Sequence, residues 1–153
     1  MARTRQAAMA DVGRAMQRYQ RTVQSFDDAV ARRLGVGPAD MRCLDWLSER
    51  PCTAGEIAAA TGLRPAATTA LIDRLVDKGF VRRTAAPTDR RKVLVELTED
   101  GQQQVWSAYG PMVSEGQNLF DDRTIAELDA LGELLDSMSE LTERHRTRVD
   151  AGE

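Results

Sequence analysis

The residues of this 153-residue chain best suited to chemistry lie between Thr53 and Thr98. After Gly62 comes the run Arg64, Pro65, Ala66, Ala67, Thr68 and Thr69, with Arg74 one turn further on. Short side chains of this kind can approach base edges in a major groove about 12 Å wide. Alanine and threonine methyls suit thymine methyls, threonine hydroxyls suit base edges or phosphates, and Arg64 and Arg74 suit phosphates or guanine. Downstream, Asp89, Arg90, Arg91 and Lys92 form a basic cluster. In an Asp-x-Arg spacing the carboxylate can hold the guanidinium in one pose, so Asp89 would orient Arg91 for a narrow minor groove. Arg90 and Lys92 would meet phosphates or intramolecular carboxylates. Asp73 is better placed to orient an arginine than to meet a phosphate, because like charges repel. Thr53 joins these as a DNA-contacting position. The chemistry is recognition of duplex DNA. No nucleophile–base pairing, phosphate loop or metal-ligand cluster is visible, so neither an enzyme nor a cofactor is expected. His145 is the sole histidine and has no companion ligands, so no metal is expected.

Positioning these residues requires a particular order of elements. Thr53-Ala-Gly-Glu56 is a capping box that opens a short helix, 54–61, and Gly62 can end it in a left-handed turn. Pro65 opens a second helix, 65–78, which lacks a capping side chain at Arg64 and buries Leu71, Ile72, Leu75 and Val76. Phe80–Thr84 and Val93–Leu97 read as strands joined by a basic loop, Ala85–Lys92. A helix, a glycine turn, a second helix and a basic hairpin make a helix-turn-helix with a β-wing. Upstream, Met9, Val12, Met16, Tyr19, Val23, Phe26 and Val30 mark one face of a helix over about 5–34. A helix over 38–49 follows, with Met41, Leu44, Trp46 and Leu47 as its apolar set. Downstream, Thr98 caps a helix over about 99–118, which Gly110-Pro111 can kink. The stripe Ile125, Leu128, Leu131, Leu135, Met138 and Leu141 marks a last helix, 123–147. The fold class is mainly α (α+β). Residues 38–101 form the winged helix-turn-helix, and 1–37 with 102–153 form a helical dimerisation region. The terminal helices are too apolar along one face to stand alone, and a second copy is the economical cover.

The net charge of −3 hides a strong segregation. Residues 62–92 hold eight basic and three acidic side chains, whereas residues 93–153 hold four basic and fourteen acidic. Positive charge thus gathers at the reading element, the electrostatic footprint that DNA requires. No apolar run approaches the roughly 20 residues of a membrane span. Without a signal-peptide pattern or a CxxC pair, a reduced, cytoplasmic protein is expected.

Residues from about 38 to 101 resemble the MarR family of winged helix-turn-helix regulators. The resemblance rests on Thr53-x-x-Glu56-Ile57-Ala58, Gly62-Leu63, Thr68-x-x-x-Ile72-Asp73-Arg74-Leu75, Lys78-Gly79-Phe80-Val81-x-Arg83, Pro87-x-Asp89-Arg90-Arg91 and Leu97-Thr98-x-x-Gly101. The resemblance implies a homodimeric repressor or activator that binds a pseudo-palindrome and is often released by a small molecule or an oxidant. Ala86 stands where the family commonly has Asp before the wing proline, so part of the usual wing bracing is expected to be missing.

Proteins of this kind often bind aromatic acids or similar ligands between the dimerisation helices and the reading domain. Tyr19, Phe26, Trp46, Trp106 and Tyr109 are the candidate pocket residues, although each also suits an ordinary core or interface. No single Arg or Lys stands out as a carboxylate anchor. Cys43, inside an apolar helix, reads as a buried structural thiol, and Cys52 as the more exposed one. The leading expectation is a homodimeric, sequence-specific transcription regulator, a repressor released by a small aromatic or amphipathic effector. Two alternatives stand beside it: a thiol-based oxidant sensor of the same fold, and a winged-helix interaction module that does not bind DNA.

Overall fold

The computed structural model describes residues 4–86 and 89–152, and the side chains of residues 89 and 90 are outside that description. Six α-helices and one hairpin follow in order: α1 (Arg5–Leu34), α2 (Pro38–Glu49), α3 (Ala54–Thr61), α4 (Pro65–Asp77), β1 (Val81–Ala86), β2 (Asp89–Leu97), α5 (Glu99–Gln117), a 3-10 turn (Asn118–Phe120) and α6 (Ile125–Ala151). The chain divides into two compact units, Met1–Tyr109 and Gly110–Glu153. The division falls within α5, next to Pro111, which has no N–H to donate to the preceding turn.

Local sequence accounts for most boundaries. Thr4 caps α1 through a hydrogen bond from the Ala7 amide, and Pro38 occupies the first turn of α2. In α3 the Thr53 hydroxyl accepts from the Glu56 amide, while the Glu56 carboxylate accepts from the Thr53 amide at 2.7 Å. Gly62 ends this helix at φ 70°, a left-handed conformation that costs a Cβ-bearing residue energy. α6 opens on a second capping box, Thr124 with Glu127, so it begins later than position 123 and then runs on to Ala151.

The core of the first unit is built from one face of each element. Leu44, Ile57, Leu71, Ile72, Leu75 and Val95 are fully or almost fully buried among Cys43, Cys52, Phe80 and Val81. In α2 it is Cys43 that turns inward, whereas Trp46, expected on the apolar face, remains 45% exposed. The hairpin is longer than its hydrophobic alternation implied. β1 and β2 pair from Val81↔Leu97 to Ala85↔Val93, and again at Ala86↔Asp89. The register slips between those last two pairs, so residues 90–92 fall in a bulge of β2. Ala85, Ala86 and Asp89 of the expected loop are therefore ladder. The other edge of β2 makes a single bridge to the α2–α3 connection: the Cys52 amide donates to Val95 O at 3.0 Å, and the Val95 amide donates to Cys52 O at 2.8 Å.

α5 is pinned to the α4–β1 turn. The Thr98 hydroxyl donates to Gly79 O at 2.6 Å and accepts from the Gly101 amide at 2.9 Å. Gly101 lies against the Phe80 backbone so closely that a Cβ there would come within 2.1 Å of Phe80 O. In the second unit, α6 buries no residue, and Ile125, Leu128, Leu131, Leu135 and Leu141 are all exposed.

Candidate nucleic-acid interface

α4 presents a slim, exposed face. Arg64, Pro65, Ala66, Ala67, Thr69, Ala70 and Asp73 are exposed, while Leu71, Ile72 and Leu75 face the core. Thr68 was expected among the groove-facing positions. It is only 1% exposed, and its hydroxyl donates to Arg64 O at 3.1 Å. This corrects the reading of Thr68: it lies on the same face as Leu71, Ile72 and Leu75 and belongs to the core, because positions three and four apart share a helix face. Thr69 faces outward and donates to Pro65 O at 3.1 Å.

Arg74 has a structural commitment. Its guanidinium lies 2.6 Å from the buried Asp40 carboxylate of α2 and donates to Ala70 O. Asp40 also accepts from the Gly37 amide at 2.9 Å, so one carboxylate caps α2 and fastens α4 to it. Asp73 meets Arg83 of β1 at 2.6 Å, which ties α4 to the hairpin as an arginine-orienting role requires. Lys78 donates to Gly35 O at 2.7 Å, linking the end of α4 to the α1–α2 turn. Partners 34 or 43 positions away leave no periodic signature in a sequence, so Asp40 and Gly35 were not anticipated. Arg82 pairs with Glu96 directly across the hairpin at 2.7 Å.

The Thr53 hydroxyl is engaged in its cap. It donates to Glu56 at 2.8 Å as well as accepting from the Glu56 amide. Arg50 joins this cap, 3.0 Å from Glu56. Hydrogen bonds from the Thr53 amide and hydroxyl, followed by Arg50, hold the Glu56 carboxyl down at about 2. On the hairpin, Arg91 and Lys92 are exposed. The side chains of Asp89 and Arg90, and all of Pro87, lie outside the described residues, so the expected Asp89–Arg91 brace does too. Ala86 is buried at the end of β1.

A cleft of about 710 Å3 opens within the first unit. Its walls include Val23, Asp27 and Asp28 of α1, Arg42 and Asp45 of α2, and Trp106 with Tyr109 of α5. Two of the five expected aromatics therefore line it. Phe26 stands behind Tyr109, edge to face at a centroid separation of 5.4 Å. Tyr19 is 70% exposed, and neither it nor Trp46 reaches the cleft, which corrects both placements. Tyr19 lies a full turn before Val23, where the α1 wall of the cleft begins, and Trp46 is absent from the α2 wall. The Tyr109 hydroxyl donates to Asp27 at 2.8 Å, and burial together with that carboxylate pushes the phenol upward. Burial, then Glu49 and Asp27, push the Asp45 carboxyl upward.

Cys52 corrects another expectation. It is 1% exposed, because its backbone bridge to Val95 carries the side chain into the core. Burial pushes the thiols of Cys52 and Cys43 upward, Cys43 to about 12, so neither favours the reactive thiolate.

This helix-turn-helix with its hairpin has counterparts in known proteins. A model described as "MarR family" matches residues 34–92. The HTH-type transcriptional regulator YcgE of Bacillus subtilis is 35% identical over 124 residues, covering 78% of this chain and 80% of that protein. The chain belongs to the MarR family of transcriptional regulators. The winged helix architecture of this MarR-family chain agrees with solved structures. A MarR family protein from Bacillus stearothermophilus superposes with a TM-score of 0.66 at 18% identity, covering 92% of this chain and 99% of that one. The apo form of Escherichia coli MarR gives 0.56 at 26% identity, covering 82% and 95%. Among the described residues, no helix is long and apolar enough to cross a membrane, and no group of His, Cys, Asp and Glu could hold a metal ion.

Proposed function

We propose that this MarR-family regulator is a homodimeric repressor that reads a pseudo-palindromic duplex, with α4 in the major groove and the hairpin tip in the minor groove. One observation carries the reading: α4 turns Pro65, Ala66, Ala67 and Thr69 outward while its other face is locked into the core. That face is narrow enough for close approach and offers methyls rather than a row of guanidinium groups, so base reading rests on thymine contacts and DNA shape. Arg64 at the start of α4, with Arg91 and Lys92 on the wing, supplies charge for phosphates and the minor groove. Two-fold symmetry then places half-sites about one helical turn apart. The unburied apolar stripes of α1 and α6 support the dimer, because a second copy would cover them. The cleft beside Trp106 and Tyr109 is the place for a small-molecule effector that releases DNA.

The test is binding to a duplex enriched from a random pool, followed by fluorescence anisotropy over a range of salt. Affinity should fall steeply and linearly on a log–log plot as phosphate contacts are screened. Thr69→Glu should abolish binding, and Arg91→Ala should weaken it by about 1–3 kcal/mol while the circular dichroism spectrum is unchanged. Wild-type affinity in Thr69→Glu would remove α4 from the groove. A salt-independent affinity would point instead to a protein-interaction module.

A further inference from the structure

The cleft has an unusual charge for a site expected to receive aromatic acids. Asp27, Asp28 and Asp45 line it against a single cation, Arg42. No ion pair among the described residues involves any of the three carboxylates. Asp27 accepts from the neutral Tyr109 hydroxyl at 2.8 Å and Asp28 from the neutral Gln24 amide at 3.2 Å, so their hydrogen bonds leave the negative charge uncompensated. Arg42 extends toward Thr61 O, 3.5 Å away, at the end of α3. The remaining wall is apolar or aromatic, with Val23, Met41 and Val105 beside the rings of Trp106 and Tyr109. An anion placed here would meet three like charges in a partly desolvated setting, where repulsion is stronger than in water. A cation would meet three attractive charges beside two aromatic side chains.

We propose that this cleft selects small aromatic cations, with the cationic centre between Asp27 and Asp45 and the rings against Trp106 and Tyr109, and that it disfavours carboxylates. The proposal rests on reading the cleft as the effector site, and it narrows the ligand to one charge class. Recognition needs no bond made or broken. The carboxylates fix the sign of the ligand, and the cleft volume admits a drug-sized molecule.

Tetraphenylphosphonium and tetraphenylborate have nearly the same shape and opposite charge, so they separate charge from hydrophobicity. Isothermal titration of the full chain should show the phosphonium binding at least about tenfold more tightly than the borate. The double variant Asp27→Asn/Asp45→Asn keeps the side-chain volume and the acceptor for Tyr109, and it should erase that preference. Equal or tighter binding of the borate overturns the proposal. So does a phosphonium preference that survives the double substitution, because the charge selection would then lie elsewhere. Anisotropy with a bound duplex distinguishes the two readings. Phosphonium that binds the cleft without releasing DNA removes the effector role and leaves the ligand class standing. Release by the borate alone keeps the effector role and overturns the cation.

Discussion

Thr68 and Thr69 stand side by side on α4, about 100° apart around the helix axis. One is consequently sealed in the core and the other faces outward. The pair shows how finely this surface is set: within residues 65–70 Thr68 alone is withdrawn into the core, and its neighbours stay exposed. Gly101 illustrates the same sensitivity in packing. Its missing side chain lets α5 lie on the Phe80 carbonyl, where a Cβ would come within 2.1 Å. Gly101→Ala should therefore destabilise the protein by about 3 kcal/mol or more, because backbone must move on both sides of the contact. Urea denaturation followed by circular dichroism measures this directly. An unchanged midpoint would mean that α5 slides without cost.

At the scale of elements, the reading unit is held by caps and crossed fastenings. The α3 cap has a pH signature. The Glu56 carboxyl is held below its ordinary value of 4.5, at about 2. A depressed carboxylate stabilises the fold above its unfolded-state value, and the contribution is lost as pH falls from about 4.5 toward about 2. Wild-type stability should therefore drop more steeply than that of Glu56→Gln over this window. Parallel slopes for the two proteins would show that the cap is neutral to folding. The Glu56 side chain is 43% exposed, so solvent screening keeps the effect small. The Asp40–Arg74 link carries more. Asp40→Ala strands one end of α4 and leaves the Gly37 amide unsatisfied, so a loss of about 1–3 kcal/mol in denaturant is expected, together with weaker duplex binding. Full duplex affinity in a destabilised Asp40→Ala protein would show that α4 holds its pose without this pair.

At the scale of the whole molecule, the exposed stripe of α6 and the outer half of α1 account for the proposed dimer. Leu131→Asp places a charge in that stripe and should shift sedimentation toward a monomer, with loss of cooperative duplex binding. A wild-type chain that sediments as a monomer at all accessible concentrations would reject the dimer and with it the two-fold reading of DNA. The acidic tail segment fits the same picture: residues 93–153 carry fourteen acidic against four basic side chains, a charge that duplex DNA would repel.

The helices, the Thr53–Glu56 cap and the helix-turn-helix were legible in the sequence because their causes are local. Apolar residues recur every three or four positions, Thr53 lies three residues before Glu56, and Gly62 permits a turn that other residues resist. The family resemblance was legible for the same reason, since its motifs are short and contiguous. What the sequence left open depends on contacts between distant positions. The burial of Cys52 follows from its bridge to Val95, the fixed pose of Arg74 from Asp40, and the charge of the cleft from three carboxylates that two helices bring together. Local spacing determined which elements form, but not every face they bury, as Thr68, Trp46 and the exposed stripe of α6 show. Only the packing of those elements decided which exposed groups share a site, because side chains far apart along the chain acquire common electrostatics only when the backbone places them side by side.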